Sequence, residues 1–324
     1  MPWTKRISII VAIIMFVLLA VFIYFAWLRP NLIIPKAVAK ERYARPNSKF
    51  IQWQGTELHY TEAGQGPTVL LIHGFGGNFS NFDSLAPKLA DSYRVVCVDL
   101  PGFGLSDQPR AEGLLAPLYH EYFNMLFDTL HIDSALVIGN SMGGWMAWEL
   151  AASHPDKVRK LVLLNSAGYD LDRVKKNLGR LELLDTKLFK LLSARGIPMF
   201  MSNYNAHRIR AKDAYVNPEE VMLHNALTNR EGNFQNLARM ANSTELPDTA
   251  NIQKVACPTL IVWGDDDRIV PVEHAQRFKR DIPDSRMLIY EKCGHVPQLE
   301  VSGKLAKDIK AFFGEPSNQS LSKN

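Results

Sequence analysis

Three cysteines in 324 residues, Cys97, Cys257 and Cys293, are too few for a disulfide framework, and their spacings fit no zinc pattern. Charge of one sign is scarce as well. With 37 Lys+Arg against 33 Asp+Glu, the net charge of +4 is too small to mark a nucleic-acid-binding surface. Biased tracts and internal repeats are missing, which excludes disordered, collagen-like and low-complexity classes. None of the histidines falls at a metal-binding spacing. What remains is the composition of an ordinary globular protein, 47% hydrophobic with 20 Gly and 18 Pro. The length suits one large α/β domain or two average ones.

The exception is the N-terminus. From Ile7 to Leu28 the chain runs 22 residues without a charge. As a helix at about 1.5 Å per residue that run spans roughly 33 Å, enough for a bilayer core. A signal peptide has a shorter apolar core with small residues close behind it, whereas Ala37-Val38-Ala39 lies well beyond this run. The expectation is an uncleaved single-pass anchor over 1–29, with Trp3 and Trp27 near its two ends at headgroup depth. A basic linker over 30–48 follows. Arg29, Lys36, Lys40, Arg42, Arg45 and Lys49 favour a cytoplasmic body by the positive-inside rule. N-terminal anchors ahead of one long domain commonly export it, so the side stays open. The same charges can hold the linker on anionic lipid or simply be solvated.

Beyond the linker, Lys49–Glu62 alternates apolar and polar residues about Gln54-Gly55, the pattern of an antiparallel hairpin. Short β-rich runs then alternate with helical patterns: Thr68–Ile72, Arg94–Asp99, Ala135–Gly139, Lys160–Leu164, Pro258–Trp263 and Met287–Tyr290. Near-continuous apolar strands between helices imply a mostly parallel, eight-stranded α/β sheet covered on both faces. The rhythm breaks over about 169–251, where Leu178, Leu181, Leu184, Leu188, Leu191 and Leu192 recur at helical steps. That stretch reads as a helical cap inserted between two strands. The domain spans 49–314, and 315–324 is a polar tail.

The sharpest motif is Gly139-Asn140-Ser141-Met142-Gly143-Gly144, set between an apolar strand and a helical run. Such a strand-to-helix turn lifts a serine hydroxyl above the sheet, and the following amide points at the same spot. A serine needs a base to take its proton and an acid to orient the base. After the strand ending at Tyr290 comes Gly294-His295, the candidate base. After Thr259–Trp263 come Asp265, Asp266 and Asp267, three candidates for the acid, with Asp267 favoured. Asn165 stands where another strand end can carry an acid, but an amide supplies no charge. In His73-Gly74-Phe75-Gly76-Gly77 the Phe75 amide is the expected second oxyanion donor beside that of Met142. His73 is expected to tie this loop down.

These strings, together with Val98–Asp107, resemble the α/β-hydrolase family from about Lys49 to Phe313. His73–Gly77 and Gly139–Gly144 are similar to a group of bacterial lipases and carboxylesterases. The anchor is similar to that of membrane-bound members of monoacylglycerol-lipase type. The resemblance implies Asp267 as the acid, three residues after Gly264 and four before Pro271. It implies the set Ser141, Asp267 and His295, with no metal or organic cofactor. Ser141 argues against dehalogenases and epoxide hydrolases of this fold, which place aspartate there. Carbon–carbon bond hydrolases of ring meta-cleavage products share GNSMGG, but usually carry an aromatic residue where this chain has Val296.

The implied substrate is a small ester or lipid, a monoglyceride or medium-chain acyl ester, with carbon–carbon cleavage as the alternative. A binding protein on a hydrolase scaffold is the reading of another class, although such proteins usually lose a catalytic residue. Ile197-Pro198-Met199-Phe200-Met201 admits two readings, an acyl-chain channel or core packing.

Overall fold

Local pattern and pairing agree along the whole sheet. The computed structural model describes residues 3–108, 115–178, 186–241 and 247–315. Leu181, Leu184 and the tail from Pro316 onward lie outside the described residues, as do the side chains of Trp27 and Leu178. The strands are β1 (Ser48–Trp53), β2 (Thr56–Ala63), β3 (Thr68–Ile72), β4 (Arg94–Val98), β5 (Ala135–Asn140), β6 (Val158–Leu164), β7 (Thr259–Gly264) and β8 (Ser285–Tyr290). They form one sheet in the order β1-β2-β4-β3-β5-β6-β7-β8. The hairpin β1–β2 turns on Gln54 and Gly55, both at positive φ (48° and 72°), the backbone a tight two-residue turn requires. From β4 to β8 every pairing is parallel.

Each central strand is apolar on both sides because both faces are covered. Leu70 and Ile72 of β3 join the core that contains Trp148, Phe123 and Phe278. Val69 and Leu71, pointing the other way, join Phe79, Phe82 and Ile309. The chain runs from β3 to β4 in one direction and returns to β5 on the other side of β3. That reversal leaves a crevice at the carboxyl ends of β3 and β5, where an open α/β sheet places its ligand.

Between β6 and β7 the described residues hold five α-helices, Leu171–Leu178, Lys187–Ser193, Met199–Arg208, Pro218–Thr228 and Asn233–Ala241, then a 3-10 turn, Thr249–Lys254, and no strand. At the N-terminus a 21-residue helix, Trp3–Ile23, has no buried residue. It passes through a π-helical turn, Tyr24–Leu28, into Arg29.

The basic linker is docked on the body. Lys36 pairs with Asp107 at 2.9 Å, Lys40 with Glu57 at 2.7 Å, Lys49 with Glu62 at 2.5 Å, and Arg45 with Asp83. Each half-exposed pair stabilises by only about 0–1 kcal/mol. The backbone adds more order. Leu32 donates to Arg195 O, Ile34 to Asn229 O, and Glu231 back to Ile34 O. Sequence alone treated these cations as lipid-facing or solvated; pairing with carboxylates far along the chain gives four of them another use.

Candidate active site

Ser141 sits between β5 and the helix Met142–Ser153 with φ 56° and ψ −120°, a region costly for any residue with a side chain. The turn is enforced by close backbone packing. A Cβ on Gly139 would collide with the carbonyl of Gly143, and one on Gly143 with that of Ile72. The Ser141 amide donates to Leu164 O at 3.0 Å, and its carbonyl accepts from Trp145 and Ala167. The backbone is thereby pinned and the hydroxyl projects into the crevice. On its other side, a Cβ on Gly74 would lie 2.9 Å from Ser141 Cβ, so only glycine lets the two loops meet.

The structure brings His295 and Asp267 together. Asp267 Oδ2 lies 2.8 Å from His295 Nδ1, and the carboxylate is fully buried. Its other oxygen accepts the amides of Ile269 (2.8 Å) and Val270 (3.0 Å). The two competing aspartates lie apart from the imidazole: Asp265 accepts from Cys293 N, and Asp266 from Lys212 N beside Arg268. Ser141 and His295 both line one cavity. Among the described residues no hydrogen bond reaches the Ser141 hydroxyl; catalytic contacts of this kind often close only on substrate.

Of the expected oxyanion donors, Met142 follows Ser141 in the chain and Phe75 follows Gly74, whose backbone closes on the Ser141 side chain. Neither amide has a hydrogen-bond partner among the described residues. The Met142 amide opens a helix, where N–H groups lack intrahelical acceptors. His73 is fully buried: Leu100 N donates to its Nε2 at 3.1 Å, so Nδ1 carries the proton toward Gly74 O at 2.8 Å. Burial lowers its pKa, keeping it a neutral strut under the loop.

The supporting roles of three residues were not legible in the sequence. Asn165, at positive φ (46°), donates to Asp267 Oδ2 at 2.7 Å and to Gly294 O at 3.2 Å. Glu300 accepts the amides of Gly294, Val296 and Ala211, holding the histidine loop from below. Asn140 donates to Leu164 O and His295 O and accepts from buried Gln298. A glutamate five residues after the histidine was the available signal for Glu300. The others were readable only as loop amides. His295 N also donates to Ile209 O, so the inserted helical segment helps hold the loop.

The cavity has a volume of about 510 Å³, and its wall is mostly apolar, with Phe75, Ile197, Met201, Phe234, Leu237 and Val296 among its residues. The segment Ile197–Met201 therefore serves as cavity wall and outer surface more than as core: Ile197 is buried, but Phe200 is 63% exposed. Polar side chains enter at Arg208 and His224. Burial pushes the His224 pKa down to about 4, with the Arg210 charge acting in the same direction, so it is neutral near pH 7. Among the described residues no cluster of three or more His, Cys, Asp or Glu could hold a metal ion.

The same architecture recurs among known proteins. The family model for the alpha/beta hydrolase fold matches residues 67–301. A 2-hydroxy-6-oxononadienedioate/2-hydroxy-6-oxononatrienedioate hydrolase of Paraburkholderia phymatum is 31% identical over 275 residues, covering 81% of this chain and 93% of its own. Lipase 1 of Psychrobacter immobilis is 30% identical over 267 residues, covering 80% and 81%. The crystal structure of a membrane phospholipase A, described as a bacterial virulence factor, superposes with a TM-score of 0.70 at 26% identity, covering 95% of this chain and 98% of that one. The chain belongs to the α/β-hydrolase family.

Proposed function

We propose that the chain is a serine hydrolase of carboxylic esters, with monoglycerides or medium-chain acyl esters as substrates, tethered by residues 1–29. On this reading residues 49–314 form the hydrolase domain, with its cap at about 169–251. The observation that carries it is the mostly apolar cavity that ends on Ser141 and His295. An acyl chain fits such a wall, and the ester carbonyl would then meet the hydroxyl between two unpartnered amides.

The chemistry is two-step acyl transfer. Ser141 Oγ attacks the carbonyl carbon while His295 takes its proton, and the oxyanion is held by the Phe75 and Met142 amides. As the tetrahedral species collapses, His295 returns the proton to the leaving alcohol. Water, deprotonated by His295, then hydrolyses the acyl-enzyme and frees Ser141. Asp267 holds the imidazole in the tautomer with its proton on Nδ1. Its own two oxygens are fixed by Asn165 and by two backbone amides.

The test is labelling by a fluorophosphonate probe of membranes carrying the wild type or Ser141→Ala, followed by p-nitrophenyl esters of increasing chain length. Labelling lost in the variant and a rate maximum at octanoate or beyond are expected; a maximum at acetate overturns the acyl-chain assignment. Carbon–carbon cleavage is the second reading. Arg208 on the cavity wall is the cation that a ring-cleavage product's carboxylate needs, and the Paraburkholderia relative is named for that chemistry. Decay of a 2-hydroxy-6-oxodienoate chromophore faster than octanoate ester hydrolysis would make it the first.

A further inference from the structure

The base of the exposed apolar helix is locked to the cap. Arg29 is buried, and its guanidinium donates to Leu192 O at 2.8 Å and Gly196 O at 2.6 Å, while its Nε returns to Phe25 O. Arg195 donates back to Arg29 O, and the turn Tyr24–Leu28 packs on the helix Lys187–Ser193. The clamp therefore grips the short connection between two cap helices. Both of these carry large apolar side chains in the open: Leu188 and Leu191 on the first, Met199, Phe200 and Tyr204 on the second. Scattered exposed leucines need no explanation, but five large apolar side chains on two successive helices, the first packed on the turn that ends an apolar helix with no buried residue, make an apolar cap surface beside it. Phe200 and Tyr204 belong to that surface and also line the cavity that ends on Ser141.

The geometry points to this cap face as a bilayer-docking surface, seated in the same leaflet as the anchor, so that lipid substrate enters the cavity from the membrane rather than from water. It rests on reading Trp3–Ile23 as a membrane anchor. A second copy of the chain could cover an isolated patch. A face carried by the helix on which the last turn of that apolar segment packs shares the segment's solvent instead. Lys187 and Lys190 share the first helix with the leucines, the basic and apolar mixture that favours an anionic headgroup layer. Arg29 fixes the distance from anchor to mouth, which a flexible linker would leave variable.

The experiment uses the full chain in vesicles of phosphatidylcholine and phosphatidylglycerol. The three native cysteines are buried, so an environment-sensitive fluorophore can be placed selectively at Leu191→Cys or Met199→Cys, with Ile289→Cys on the edge strand as reference. Brominated acyl chains are expected to quench the probes at 191 and 199 about twofold or more and leave 289 unchanged. Probes at 191 and 199 as unquenched as at 289 overturn the docking surface. A chain that fails to sediment with the vesicles overturns the anchor reading and this inference together. A second variant, Leu188→Glu with Leu191→Glu, changes no residue that lines the cavity. It is expected to slow hydrolysis of vesicle-embedded monoacylglycerol about fivefold or more, with a water-soluble butyrate ester unaffected. Equal rates on both substrates in wild type and variant count against the proposal. The quenching result stands whether or not the ester assignment holds.

Discussion

Two Ser–His–Asp sets occur among the described residues, at opposite halves of the sheet. One is Ser141, His295 and Asp267. The other is Ser48, His59 and Asp99, where His59 Nδ1 lies 2.7 Å from Asp99 Oδ2 and its Nε2 lies 2.7 Å from Ser48 Oγ. By hydrogen bonds alone the second is the more complete. Its serine, however, lies in strand β1 and accepts the amide of Arg45, and both its histidine and aspartate side chains are wholly buried. Asp99 also accepts the amides of Phe79 and Leu105, so its charge joins two loops to β2. The first set has what the second lacks: a strained serine backbone, free amides and a cavity. Hydrogen-bonded partners make a structural strut; access and unpartnered donors are what a reaction needs.

The largest expected effect separates the two serines. Ser141→Ala should lower turnover about a million-fold with stability little changed. Ser48→Ala should leave turnover within about twofold and cost about 1 kcal/mol of stability, read from urea midpoints. If Ser48→Ala abolished activity with the fold intact, the distinction would fail. The aspartates should divide in the same way. Asp267→Asn is expected to cut turnover about ten-thousand-fold, because the imidazole loses its orienting acceptor. Asp99→Ala is expected to destabilise by about 3–5 kcal/mol, leaving a buried histidine and two amides unpaired.

Smaller effects test the supports. Glu300→Gln offers one acceptor oxygen where Gly294, Val296 and Ala211 now share two, and should lower kcat about 10- to 100-fold by displacing the His295 loop. A KM change without a kcat change would show that the loop tolerates the loss. A third histidine, His224, is held neutral by burial and by the Arg210 charge, its pKa pushed down to about 4. Between that value and about 6.5 the unfolded chain binds a proton that the folded chain does not, so stability falls as pH drops through this window. The urea midpoint at pH 5 should lie below that at pH 7, and His224→Leu should narrow the gap by about 1–2 kcal/mol. An unchanged gap would show that other groups carry the acid sensitivity.

Much of this was legible in the chain. Strand positions followed from short apolar runs, because both sheet faces are buried and every residue of the run has a core to join. The serine turn was legible because its glycines answer to backbone collisions that no other residue survives. The choice among Asp265, Asp266 and Asp267 was harder, since all three lie in one loop. The matching spacing singled out Asp267, and the structure joins that residue alone to the imidazole. Asn165 was not legible as a support, because Asp267 and Gly294 lie in loops far along the chain and are assembled only by the sheet; Glu300 had a local signal in its place five residues after His295, but Ala211 comes to it only through folding. The linker cations were read by their neighbours in sequence, whereas Asp107, Glu57 and Asp83 come to them through folding.

The sequence by itself determined the α/β class, the eight strands and the serine turn, because these depend on side-chain periodicity and on backbone sterics within a few residues. Only the tertiary structure decided which of two Ser–His–Asp sets faces a cavity, and which charges are spent on internal pairs. It also decided where the apolar helix meets the cap. Those outcomes depend on solvent access and on contacts between distant segments, and local sequence carries neither.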